Sequence, residues 1–419
     1  NNALTITVTD TEVAASNLSK IDAATTVQVT ATAVETLTGT LAAVNSILGA
    51  GGVSLTTAGV SAVAASLEDI TVAAATVKNV DTLTDGDIAI LQATAITGSA
   101  ADIAAVVSSG GVTHVSGTLQ ATVDAGSVDA ADLITIDDNS GRIVLAAAAT
   151  TMTGTASEIE TVIGRTSGIE VAGTAAATVD DGTAIIAQVK TIDNGSRIVT
   201  ATVDSGVVAD LIHGTTGLPD STKNVLSITV TDTSAAAADL TALAGKTTTK
   251  VIVTDVATIT GSAGDMVALY DAAASDFTDL GSEALSVSGA AAATDLIALL
   301  SDTDQNISVA GVTKVTGTAA NLDTVVGNAR FTNWTTNNPT LEVSGTSASA
   351  DDIASLVTTV GTAYSSLTDK IDASGISTFT GTASNVLTTL TSATVDEAAN
   401  PNVTLSDSTV DAATLILVR

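Results

Sequence analysis

Ile96-Thr97-Gly98-Ser99-Ala100-Ala101-Asp102-Ile103-Ala104-Ala105-Val106-Val107 predicts a strand end, a turn and a helix in that order. β-Branched residues ahead of Gly98 favour an extended chain. Ser99 followed three residues later by Asp102 is a helix-start signature, in which the hydroxyl takes a free backbone N–H. Ile103, Val106 and Val107 then fall on one helical face. The same grammar returns at Met152-Thr153-Gly154-Thr155-Ala156 with Glu158, at Ser262 with Asp265, and at Val315-Thr316-Gly317-Thr318-Ala319 with Asn321. Apolar triplets follow at Ile159/Val162/Ile163, Leu322/Val325/Val326 and Ile353/Leu356/Val357. Gly164, Gly327 and Gly361 are the expected helix stops.

The phrase recurs with a period. Its Gly, or an Asp in the same place, stands at Asp232, Gly261, Gly289, Gly317, Gly345 and Gly381, in nearly even steps until a longer last one. The step is roughly 28 residues, a length typical of stacking repeat units. Gly98 to Gly154 and Gly117 to Gly173 each cover two such units. A longer repeat lies above this one: Leu4-Thr5-Ile6-Thr7-Val8-Thr9-Asp10-Thr11 returns in the second half as Leu226-Ser227-Ile228-Thr229-Val230-Thr231-Asp232-Thr233. The turn-rich stretch from His213 to Ser221 precedes the second copy. The expected organisation is a first repeat array over 1–213, a joint at 214–224 and a second array over 225–419. Each unit reads as strand, short helix, strand. A helix of about ten residues is marginal alone, as is a lone strand pair. Stacked units bury each other's apolar faces. The expected fold is a β-rich repeat solenoid with short helices, an elongated β/α solenoid of about 28-residue coils.

Composition narrows the function. Among 419 residues, 13 Lys and Arg face 45 Asp and Glu, a formal net charge of −32. Phosphate binding needs clustered cations, so nucleic acid is not an expected partner. No run of about 18 apolar residues is present, so no transmembrane helix is expected. The absence of Cys excludes disulfides and thiolate metal sites. Opening on Asn1-Asn2-Ala3 without Met, the chain reads as processed or as a segment of a longer one.

Candidate chemistry is sparse. His114 and His213 are the two histidines, with no second ligand at metal spacing; His114, in an alternating stretch, is expected to face solvent. Asp302-Thr303-Asp304-Gln305-Asn306 imitates the start of a calcium loop, but Ile307 replaces the needed Gly and Thr313 the bidentate Glu. Asp302, Asp304 and Asn306, together with Asp81, Asp85 and Asp87, are therefore candidate calcium ligands, set against plain turn chemistry in which such side chains bond their own backbone. No cofactor is required. Phe331 and Trp334 form the clustered aromatic pair, in an apparent insertion after the Leu322–Val326 helix, and are a candidate surface-binding site. Carbohydrate hydrolysis finds little support, since six aromatics in the whole chain leave few stacking platforms. The apolar, uncharged segments Leu4–Thr9 and Leu415–Val418 lack polar caps and are candidate joining edges.

The phrases Val315–Leu322 and Ile96–Ile103 resemble repeats of very large acidic cell-surface proteins of marine cyanobacteria and similar Gram-negative bacteria, with surface-layer and adhesin-like relatives. That resemblance implies an extracellular, non-enzymatic, structural role, often with calcium. The expected function is a protomer or segment of a filament, surface layer or adhesin stalk that self-associates. The alternative is a module that contacts a polysaccharide or cell surface through inserted loops, such as those around Phe331–Trp334 or Thr362–Ser374.

Overall fold

The computed structural model describes residues 2–55, 62–194, 197–220, 223–363 and 371–418. The chain is an α/β protein in which parallel strands alternate with helices, 16 helices among the described residues. It divides into two compact units: Asn1–Val203 with Lys223–Val225, and Asp204–Thr222 with Leu226–Arg419.

In the first unit, strands Glu12–Ala14, Thr36–Gly39, Ala64–Leu67, Ile88–Ala89 and Val112–Thr113 lie side by side in one parallel sheet. Thr71–Ala73, Ala95–Gly98, Gln120–Val123, Val144–Ala146 and Ile169–Val171 form another. In the second unit, Ser234–Ala236, Thr258–Gly261, Ala284–Ala292, Ile307–Gly317, Thr340–Val343, Ile371–Ala373 and Val395–Glu397 succeed one another in a sheet. Every strand pair described is parallel, and at least one helix lies along the chain between strands that are neighbours in a sheet, as parallel pairing requires. The core is made of Leu, Ile, Val and Ala from both element types. Leu37, Ile96, Ile103 and Leu133 are fully buried in the first unit, and Leu240, Ile259, Leu296 and Leu322 in the second.

The repeat comes in two alternating kinds. In the first kind, Thr40, Ser99, Thr155, Ser262, Thr318 and Thr382 cap their helices, each accepting the backbone N–H three residues on. At Thr155 the cap is reciprocal, because the Glu158 carboxylate accepts the Thr155 N–H at 2.9 Å. In the second kind, helices begin with Ala: after Ala14, Ala73, Ala236 and Ala292 with no side-chain cap, and at Ala130 and Ala350 with the Asp129 carboxylate and the Ser349 hydroxyl as caps. The two kinds fit by close approach. Gly154 has φ of +138°, and a Cβ there would lie 3.3 Å from Cβ of Ala130, the first residue of the preceding helix. Gly98 meets Ala74 at the same distance, and Gly381 meets Ala350 at 3.2 Å. At these three places glycine on the strand and alanine at the neighbouring helix start are one packing requirement, whereas Gly39 has nothing within 4 Å of an added Cβ.

The longer repeat, Leu4–Thr11 and Leu226–Thr233, returns in its hydrogen bonds to the repeat that follows it. Val8 N–H donates to the Thr30 carbonyl at 2.7 Å, and Val230 N–H to the Ile252 carbonyl at 2.9 Å. Thr11 accepts from Glu35 and Thr36, as Thr233 does from Ala257 and Thr258. The buried Thr25 hydroxyl donates to the Leu4 carbonyl at 2.7 Å, and the buried Thr247 hydroxyl to that of Leu226 at 2.8 Å.

Candidate functional site

The acidic turns are organised by threonine. Asp81 lies in the helix Ala74–Leu83, while Asp85 and Asp87 are exposed in the turn that follows. Between them Thr84, 4% exposed, donates to the Val63 carbonyl at 2.6 Å and accepts the Gly86 N–H at 3.0 Å. Asp302, Asp304 and Asn306 surround Thr303 in the same way. Its hydroxyl donates to the Glu283 carbonyl and accepts the Gln305 N–H, both at 3.0 Å, while Asp304 and Asn306 are exposed. Each hydroxyl ties a helix end to the preceding repeat, the same task that Thr25 and Thr247 perform.

The structure does not bring the six calcium candidates into cages. Among the described residues no three His, Asp or Glu side chains converge as a metal site. The Asp81 carboxylate accepts Ser109 Oγ at 3.3 Å and lies against Gly111, where a Cβ would meet its Oδ1 at 3.0 Å. The Asp302 carboxyl is raised above the usual carboxylate range, first by burial and then by the charge of Asp271. Nearby, buried Glu283 accepts Gly281 N–H at 2.8 Å and Tyr270 Oη–H at 3.1 Å. Burial and the Glu283 charge push the Tyr270 phenol up.

The aromatic pair sits in the core. Phe331 is 3% exposed and Trp334 2%, their rings edge to face with centroids 6.3 Å apart. Asn333, with φ of +67°, turns the chain between them, and its Nδ2 donates to Ser308 Oγ at 3.1 Å. Both rings thus fill space beneath the insertion, leaving almost no ring surface for a sugar to stack upon. Residues 364–370 of the other loop, Thr362–Ser374, lie outside the described residues. His213 is exposed, its Nδ1 2.9 Å from Thr216 Oγ1. His114 departs from the expected solvent-facing position: it is half-buried, and its Nδ1 is buried without a hydrogen-bond partner.

The two candidate edges differ. Leu4–Thr9 is extended and bonded on one side to residues 25–30. Leu415–Val418 belongs to the helix Ala412–Val418, started by Asp411, whose carboxylate accepts Thr414 N–H at 2.9 Å and Oγ–H at 2.7 Å. That segment is a helical end, and Ile416 is 73% exposed on it.

Cations are used between neighbouring repeats. Lys78 pairs with Asp102 at 2.8 Å, Arg165 with Asp137 at 2.7 Å and Lys314 with Glu342 at 2.7 Å. No helix among the described residues is long and apolar enough to cross a membrane. No protein-family model matches the chain, and no curated protein matches it in sequence.

Proposed function

We propose that this chain is an extracellular structural protein, a protomer or segment of a filament, surface layer or adhesin stalk. In this reading the repeats of each compact unit stack as coils of a β/α solenoid, and the protein self-associates through coil ends or lateral contacts. The observation that carries the reading is the hydrogen-bond pattern of Leu4–Thr11, which recurs at Leu226–Thr233. Each repeat directs its backbone groups and apolar face at the next, so adding a repeat extends the stack without new design. Polar contacts between repeats serve the same end, since Thr84, Thr303 and the ion pairs Lys78–Asp102, Arg165–Asp137 and Lys314–Glu342 tie one repeat to its neighbour. A net charge of −32 keeps such surfaces soluble and apart, and divalent cations are the natural counter-ions that let them approach. The reading assigns no catalytic residue. The resemblance to acidic bacterial surface repeats points the same way.

Negative-stain electron microscopy of the purified chain, with and without millimolar calcium, tests it. Filaments or sheets are the expected result, more abundant with calcium. Isolated particles under both conditions, at every protein concentration tried, refute self-association.

A further inference from the structure

Asparagine followed two residues on by Ser or Thr is the acceptor pattern for an N-linked glycan. It occurs at Asn17, Asn194, Asn306, Asn333 and Asn402. Only Asn306 has an acid two residues ahead of it, in Asp304-Gln305-Asn306-Ile307-Ser308; the other four have Ala15, Ile192, Phe331 and Asn400 there. Alternate residues of an extended chain share one face. An extended Asp304–Ser308 segment therefore offers a carboxylate, an amide and a hydroxyl side by side, three handles for one enzyme surface.

The fold sets Asn306 apart as well. Asn17 lies within the helix Ala15–Ala24, and Asn402 opens the strand Asn402–Leu405 directly after Pro401. Asn333 donates to Ser308 Oγ and precedes the buried Trp334. Residues 195–196, next to Asn194, lie outside the described residues. Asn306 is exposed between the helix Ala293–Asp302 and the strand Ile307–Gly317, and its side chain enters no hydrogen bond among the described residues. A sugar on its Nδ2 displaces no contact of the fold.

The same fold closes the segment to an enzyme that must grip it extended. Thr303 Oγ1 accepts the Gln305 N–H at 3.0 Å, and Arg330 donates to the Thr303 and Gln305 carbonyls, so the chain is bent at Asp304–Gln305. Ile307–Ser308 is held in the sheet between Leu285–Ser286 and Phe331–Thr332, and Ser308 Oγ accepts from the Asn333 amide at 3.1 Å.

We infer that Asn306 is an N-glycan acceptor, modified before Phe331–Thr332 pairs with Ile307–Ser308. The donor is an oligosaccharide carried on a polyprenyl diphosphate, and the catalyst is a transferase that reads the acid as well as the hydroxyl. The bond from Asn306 Nδ2 to the sugar C1 forms as the C1–O bond of the donor breaks. The electron pair of that bond leaves with the polyprenyl diphosphate, and one amide proton passes to a base of the transferase. Such transfer belongs to exported chains, so the inference rests on the extracellular reading.

The test dilutes the full chain from urea into an acid-requiring bacterial oligosaccharyltransferase with a lipid-linked oligosaccharide and a standard acceptor peptide. Intact mass and peptide mapping read the products. One glycan on Asn306 is expected, absent from Asn306→Gln and from Ser308→Ala. Asp304→Ala should slow its formation about tenfold, the scale of one charge-assisted contact, and transferase added after refolding should act slower by about the same factor. An unmodified Asn306 in a reaction that glycosylates the peptide, or a glycan placed on another Asn instead, overturns the acceptor. Equal rates on the refolding and the refolded chain overturn the order of events. The reaction needs neither export nor assembly, so its failure leaves the structural reading intact. Isolated particles in the microscope overturn that reading whatever Asn306 does.

Discussion

Gly154→Ala probes the fit between the two kinds of repeat. Gly154 holds φ of +138° within the strand Ala149–Thr155, and an added Cβ would lie 3.3 Å from Ala130 Cβ and 3.2 Å from Glu158 Oε2. Holding an L-residue in that region costs about 1–3 kcal/mol. The stiffer unfolded chain returns about 0.4–1 kcal/mol. Ala130 is fully buried at the start of its helix, so the contact is relieved only by moving the helix or the strand. The expected net loss is about 1–2 kcal/mol, read as a lower urea midpoint and as faster amide exchange across Met152–Thr155. Gly164→Ala is the matched control. Gly164 ends the helix Ala156–Gly164 with a φ outside the left-handed region and nothing within 4 Å of an added Cβ. Alanine there should stabilise by about 0.5–1 kcal/mol. Equal effects of the two substitutions would refute the packing argument.

Three further outcomes are expected. Trp334→Ala should lower stability by about 3–5 kcal/mol through a core cavity, whereas an unchanged urea midpoint would place the ring at the surface. Thr155→Ala, which dismantles the reciprocal cap, should cost about 1 kcal/mol in the same measurement, and a neutral result would contradict the cap. Two acids should respond to pH with opposite signs. Asp351 is held below the usual carboxylate range by hydrogen bonds from Asn385 and the Thr382 N–H, so its stabilisation is full at neutral pH and is lost as pH falls through its depressed folded value. Asp302 is raised by burial and by Asp271, so its charged form opposes folding at neutral pH and protonation relieves the cost as pH falls. Asp302→Asn should therefore raise, and Asp351→Asn lower, the urea midpoint at pH 7, with both differences shrinking in acid; matching signs at pH 7 would contradict the assignment.

Local grammar was the legible part of the fold. Ser99 with Asp102 and Thr155 with Glu158 announce helix starts that involve only residues three apart, and Ile103, Val106 and Val107 announce the buried face. The echo of Leu4–Thr11 at Leu226–Thr233 proved to be an echo of hydrogen bonds as well. The alternation of two kinds of repeat was hidden within the double spacing from Gly98 to Gly154, because its cause is contact between strands and helices of different repeats. The hydrogen bond from the Leu41 N–H to the Asp69 carboxylate was hidden for the same reason: its two ends are 28 residues apart and neither is unusual alone. Thr84 and Thr303 went unread because the acids around them drew the eye to charge, while the working contact is a neutral hydroxyl bond across repeats. Trp334 sits among Thr and Asn, so local polarity disguised a ring that the third dimension buries. Leu415–Val418 was too short and uniform for its helical period to be separated from an extended run.

One repeat lies upon the next in a fixed register. Thr36 and Ala64 are facing partners in adjacent parallel strands, whereas Ser66 is the partner of Thr38, two residues further along. Facing positions there are about 4.8 Å apart, within the Cα range a disulfide spans, and the offset pair is beyond it. Because the native chain has no Cys, engineered pairs report alone. Under mild oxidation Thr36→Cys with Ala64→Cys should close a disulfide in nearly every molecule, and Thr36→Cys with Ser66→Cys should remain reduced. Cross-linking of the offset pair, or of both pairs alike, would contradict the parallel stacking on which the proposed function rests.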